Sequence, residues 1–172
     1  MRGMGRVGVT VGAILAISCS WVEAKGIVGT KERVSFEGLV GKHEQSPIPD
    51  GYDGFGWSGT ISAIGKGLYR DQQGLHSVLR GKVAAANLDG NGLIGLDDRS
   101  KFSIHSGHFA AFGNAPAPVI FNAYLDGVLV GTVSMTLQPT DTLVQFDQTF
   151  AHIDRFEIDG HIVAFDNLHL SF

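Results

Sequence analysis

The stretch whose reading decides the fold is FDQTFAHIDRFEIDGHIVAFDNLHLSF, Phe146 to Phe172. Phe156 and Ile158 before Asp159-Gly160, and Ile162 and Ala164 after it, alternate with polar or oppositely facing residues. Asp-Gly supplies the positive φ angles that a tight turn requires, so the pattern predicts a β-hairpin. The closing strand carries Leu168, Leu170 and Phe172 on one face and His169 and Ser171 on the other, a period of two. Counting back from Leu168 puts Asp166 on the face of Ala164 and Leu168. A carboxylate on an apolar face costs several kcal/mol unless it is paired, so Asp166 must accept hydrogen bonds, hold a cation, or be turned outward by a bulge.

Outward from there, further strand-like runs of β-branched and aromatic residues lie at Phe102 to Phe112, Val119 to Leu125, Val128 to Leu137 and Thr142 to Phe146. Asp126-Gly127 joins the second and third of these as another expected hairpin. Thr60 to Ile64 and Gly74 to Leu79 are weaker strand candidates, and Val83 to Lys101, rich in Gly, Asn and Asp, reads as loop. No run of ten or more residues after the leader has a helical period. Short strands with turn signals every ~8–12 residues predict an all-β chain, a single antiparallel β-sandwich or jelly roll.

The leader is MRGMGRVGVTVGAILAISCSWVEA, residues 1–24: Arg2 and Arg6, an apolar run from Val7 to Ser18, then small residues. That run is shorter than the ~20 residues that span a bilayer, so it reads as a signal peptide rather than a transmembrane segment. Val22-Glu23-Ala24 suits cleavage before Lys25, giving a secreted, extracellular or periplasmic domain. Leu15 to Cys19 also resembles a lipoprotein box, in which Cys19 would carry the anchor. Residues 25–33 read as an N-terminal tether and 34–172 as the domain. Cys19 is the one cysteine, so ordinary cleavage leaves no disulfide and no cysteine-ligated metal. Removing Arg2, Arg6 and Glu23 from 13 basic and 17 acidic residues leaves 11 and 16, a net −5. A mildly acidic domain argues against nucleic acid as a partner.

Ile48-Pro49-Asp50-Gly51-Tyr52-Asp53-Gly54-Phe55-Gly56-Trp57, Ser106 to Phe112, Val119 to Thr132 and Phe165-Asp166-Asn167-Leu168 together resemble a group of exported bacterial domains. These are galactose-binding-like jelly rolls, often found in PEP-CTERM sorted, exopolysaccharide-associated proteins. Phe36-Glu37-Gly38-Leu39 fills the place of the group's early strand and Phe165 to Leu168 that of its closing one. No Pro-Glu-Pro motif, apolar helix or basic tail follows Phe172 in this sequence. The resemblance implies a jelly roll and an exported setting, and it leaves biochemical activity open.

Three constellations are candidates for binding. In many jelly rolls of this kind the first and last strands lie side by side and share a structural calcium, for which Glu37 and Asp166 would be the carboxylates. The plainer reading has Glu37 exposed and Asp166 capping a turn. A weaker metal alternative is Asn87 to Asp98, where Asn87, Asp89, Asn91 and Asp98 stand at calcium-loop positions around Gly92. Asn in first place, the short Asp98 in last and a strand where an exiting helix belongs speak for a turn without an ion. Asp50, Tyr52, Asp53 and Trp57 have the make-up of a sugar platform, aromatic faces for C–H surfaces and carboxylates for hydroxyls; a Trp in a Gly-rich loop more commonly plugs the core edge.

Catalytic signals are poor. Gly56-Trp57-Ser58-Gly59-Thr60 lacks the second glycine of a nucleophile elbow, and His105 and His108 fall on opposite strand faces. The expectation is therefore a non-catalytic, exported, glycan- or exopolysaccharide-binding or cell-surface module. A structural envelope or matrix protein is the alternative, and a secreted hydrolase the more remote one.

Overall fold

The structure, a computed structural model, describes residues 31–96 and 100–172. Its strands are β1 (Lys31–Val34), β2 (Gln45–Pro47), β3 (Phe55–Trp57), β4 (Ile61–Gly65), β5 (Val83–Asn87), β6 (Asn91–Leu96), β7 (Ser103–Ala111), β8 (Ala117–Leu125), β9 (Val128–Leu137), β10 (Thr142–Gln145), β11 (Arg155–Gly160) and β12 (Val163–Ser171). One short helix, α1 (Gln73–Val78), and a 3₁₀ turn, Gln148–Phe150, complete the described elements. The strands form two antiparallel sheets. The seven-stranded sheet runs β10-β7-β12-β5-β4-β2 with β1 also on β12, and the five-stranded sheet runs β3-β6-β11-β8-β9. The chain is an antiparallel β-sandwich, as the alternation predicts.

Alternating residues of both sheets fill the space between them. Along β8, Val119, Phe121 and Ala123 are buried while Pro118 and Ile120 are exposed. Phe109 of one sheet meets Phe121 of the other at 4.8 Å between centroids, and Phe146, Phe150, Phe156 and Phe165 extend the aromatic layer. Burying one such side chain is worth roughly 1.5–3 kcal/mol, so this layer dominates the stability of the fold.

β4 and β5 are buried at every position, because α1 covers the outer face of their sheet. Leu75 and Val78 of α1 pack there on Ile64, Ala84, Ala86, Ala110 and Ala164. A strand covered on both faces has no reason to alternate, so Val83 to Asn87, read as loop, is a central strand. The Gly- and Asn-rich sequence after it is likewise a strand, β6. Gly74 to Leu79 is helix rather than strand, and β1 begins at Lys31, inside the segment read as tether.

The two Asp-Gly pairs part company. Asp126 (φ 51°) and Gly127 (φ 79°) make the expected hairpin between β8 and β9. Asp159-Gly160 does not. β11 pairs with β6 and β8 while β12 pairs with β7, β5 and β1, so the chain after Gly160 (φ 112°) crosses from one sheet to the other. The predicted terminal hairpin is a sheet-to-sheet corner.

Alternation along β12 breaks once. Asp166 pairs with His108 and His169 with Ser106, so three steps on β12 oppose two on β7. The extra residue is Asn167, in a left-handed conformation (φ 53°) that Asn tolerates better than most side chains. The bulge lets Phe165, Leu168 and Leu170 all enter the inner core while Asp166 shares the outer face with Ala164. Asp166 and Leu168 thus lie on opposite faces, contrary to the simple count.

Candidate functional site

One edge of β12 changes partner halfway. β5 pairs with Ala164 and Phe165, β1 pairs with Leu168 to Ser171, and Asp166-Asn167 lies between them. β1 has ended at Val34 and β5 does not begin until Val83, so a gap opens beside the bulge. Residues just after β1 and just before β5 line it. The result is a pocket of about 280 Å³ walled by Arg33, Ser35, Glu37, Arg80 and Gly81 and floored by Asp166 and Asn167. The structure therefore brings Glu37 and Asp166 to one cavity, but the strand beside β12 is Lys31–Val34, and Phe36-Glu37-Gly38-Leu39, expected as the early strand, is a turn that follows it.

Asp166 is 2% exposed. Its Oδ1 accepts from Asn167 N (2.8 Å) and its Oδ2 from Arg80 N (3.2 Å). Burial, opposed by these two amides and by Arg33 and reinforced by the Glu37 charge, raises its pKa from 3.8 to about 6. Two of the three escapes read from the sequence are thus realised together: Asp166 is hydrogen-bonded, and it sits on a bulge. Glu37 Oε1 accepts from Lys82 N (2.6 Å) and Val83 N (3.1 Å), tying the end of the β1 segment to the start of β5. Arg33 Nε donates to Asn167 Oδ1 at 2.8 Å, which leans the guanidinium over the pocket.

A second polar group adjoins the pocket through Arg80. The Arg80 guanidinium pairs with Asp141, which also holds His108 Nδ1 at 2.9 Å, and His108 is the cross-strand neighbour of Asp166. His105 instead meets the Ser171 hydroxyl at 2.8 Å, and a register shift of β7 against β12 between Ser106 and Ile104 interrupts the simple alternation that the spacing of the two histidines assumes. Arg33, Arg80 and Asp141 are site residues the sequence does not single out, while its spacing sets His108 aside and Asn167 enters only within the closing motif. The one available signal was Asn167, directly after a misplaced carboxylate in an otherwise regular strand.

Calcium takes six to eight oxygens. Here both carboxylates already accept backbone amides, Asn167 Oδ1 is taken by Arg33, and two guanidiniums share the walls. As they stand, these residues do not make a calcium cage. The described residues also contain no cluster of three or more acidic, His or Cys side chains suited to a metal. In the other candidate loop, Asn87 is fully buried: its Oδ1 accepts from Val163 N (2.6 Å) and its Nδ2 donates to His161 O (3.3 Å). Asp89 lies in a turn, Asn91 opens β6, and Asp98 lies outside the described residues. Asn87 is thus a clamp on the β11–β12 corner, and an extended strand runs where an ion-wrapping loop would be.

The expected sugar platform is turned inward. Trp57 is 6% exposed, stands edge-on to Phe36 at 5.6 Å and donates from Nε1 to Tyr52 O (2.9 Å). Tyr52 lies over Phe36 and its hydroxyl donates to Ser35 O (2.7 Å), with burial and then the Asp53 and Glu37 charges raising its pKa. Asp50 and Asp53 are exposed in the turn. Trp57 therefore cannot offer a face to a sugar. Tyr52 instead props Ser35, one wall of the pocket.

No family model matches the sequence, and no curated protein matches it. Among solved structures, a DUF4465 family protein from Bacteroides caccae ATCC 43185 is similar with a TM-score of 0.58 and 14% identity, over 82% of this chain and 98% of that one. That likeness shows the fold alone. An agarase, AgWH50C, has a TM-score of 0.42 and 9% identity over 81% of this chain and 24% of its own, too remote to argue from. The expected signal peptide, its expected cleavage site and Cys19 lie outside the described residues. Among the described residues no helix is long and apolar enough to cross a membrane.

Proposed function

We propose that this chain is a non-catalytic module of the cell exterior that takes a glycan in the pocket between its first and last strands. The observation that carries the reading is the convergence of Arg33, Glu37, Asp166 and Asn167 on one 280 Å³ concavity. Sugar hydroxyls both donate and accept. Glu37 offers its second carboxylate oxygen as an acceptor, and the Arg33 guanidinium, held by one nitrogen and otherwise turned to solvent, offers donors. The volume is at the small end of ligand sites, which suits one ring of a longer chain. The leader and the resemblance to exopolysaccharide-associated galactose-binding-like domains supply the setting, and both Asp50 and Asp53 remain free to contact a longer glycan. A glycan array, read against a blank surface, tests this. Retention of a related set of glycans is expected, and no preference over the blank would leave a structural envelope or matrix protein as the better reading.

A further inference from the structure

The edge of the five-stranded sheet is built differently from the others. β9, VLVGTVSMTL, has ten residues, none charged and none proline, and it pairs with β8 alone. The remaining edge strands are short: β3 and β2 have three residues, β2 with Pro47 among them, and β10 has four. Proteins blunt long edges with charge, proline or a covering segment, because unpaired backbone groups recruit another strand. β9 has such devices only toward its start. Its bulge at Val130, where Ala123 pairs with Gly131 but Tyr124 with Leu129, and the Gln148–Phe150 turn, whose Thr149 packs against Gly131, protect its first half and leave Thr132 to Leu137 regular. On the core side of that segment Val133 and Met135 are only half-buried where they pack at the open flank of the core. On the other face Thr132, Ser134 and Thr136 are exposed.

We propose that Thr132 to Thr136 pairs antiparallel with the same segment of a second copy of this chain, about a two-fold axis at Ser134. Such an interface sets each residue against its own kind, so any charge on the strand would meet a like charge. β9 has none. The register places Thr132 opposite Thr136, a favourable cross-strand pair, and Val133 opposite Met135, completing cover that one copy leaves half done. The small Ser134 side chains meet at the axis. Because no pocket residue lies on β8 or β9, the pairing leaves both pockets open and gives the dimer two sites for a repeating polymer.

Light scattering or sedimentation across a concentration series tests the pairing. The wild type is expected to rise from the mass of one copy to that of two. Ser134→Lys should stay at one copy throughout with unchanged near-ultraviolet circular dichroism, since Ser134 is exposed. Ser134→Cys, in a Cys19→Ala chain, should form an oxidised two-copy species. A single-copy mass at every concentration overturns the inference, as does a two-copy mass that survives Ser134→Lys. Open-ended growth instead of closure at two copies overturns it as well.

Discussion

Asp166 should make the fold less stable as pH rises through the mildly acidic range, and Asp166→Asn should abolish that loss. Its pKa rises from 3.8 to about 6 on folding. The folded state therefore holds its proton over a range in which the unfolded chain has lost it. The sign follows: the contribution is fully present below 3.8 and is lost as pH rises through about 6. A difference of roughly two pKa units at about 1.36 kcal/mol each amounts to ~3 kcal/mol. For a domain of this size that is about 6–12 °C, at roughly 2–4 °C per kcal/mol. The assay is urea or thermal unfolding of both proteins from strongly acid to neutral pH. The difference between them cancels most other titrating groups. Asp166→Asn should be the less stable at acid pH, where it lacks one acceptor, and should gain on the wild type by ~3 kcal/mol by neutral pH. A flat difference across the range would refute the reasoning and would mean that the Arg80 and Asn167 amides fully compensate the buried charge.

Three further predictions concern the frame of the site. Gly160→Ala should cost ~2–4 kcal/mol in chemical unfolding, because φ is 112° and the added Cβ would lie 2.9 Å from Pro118 O. Gly127→Ala, at φ 79° with open space around it, should cost only about 1 kcal/mol; equal costs would show that the corner is not tightly constrained. Asn87→Ala, which orphans the buried Val163 N–H, should lose ~2–3 kcal/mol whether or not calcium is present, and calcium-dependent loss would restore the loop as an ion site. A chelator should move the wild-type melting temperature by less than about a degree, whereas a structural ion at a hundredfold excess over its Kd would add ~2.7 kcal/mol and show a drop of several degrees.

The sandwich was legible because β8, β9 and β11 alternate between a more buried and a wetter face. β8, with Phe121 inward and Ile120 outward, announces its period. β5 does not: VAAAN is buried on both sides, and alanine carries little strand preference, so its neighbours α1 and the inner core decide its state. The two Asp-Gly pairs are locally equivalent, and only the sheet to which the next strand belongs makes one a hairpin and the other a corner. Asp166 was visible as a conflict between charge and period. The residues that answer it were not, since Arg33 and Arg80 come to it only through the change of strand partner along β12, and Arg80 lies 86 residues away from Asp166. Trp57 and Tyr52 have a composition equally suited to a sugar face and to a core plug, and packing around Phe36 selects the plug.

The most direct test of the central claim is calorimetric titration of the best array glycan into the wild type, Glu37→Gln and Arg33→Ala. Glu37→Gln keeps the acceptor used by Lys82 N and Val83 N, so its fold should be intact while the other carboxylate oxygen is replaced by an uncharged amide nitrogen that donates instead of accepting. Loss of one charge-assisted hydrogen bond is worth about 1.5–3 kcal/mol, or roughly a 10- to 100-fold weaker Kd, in either variant at near-unchanged melting temperature. Wild-type affinity in both variants would contradict the assignment of this pocket as the binding site.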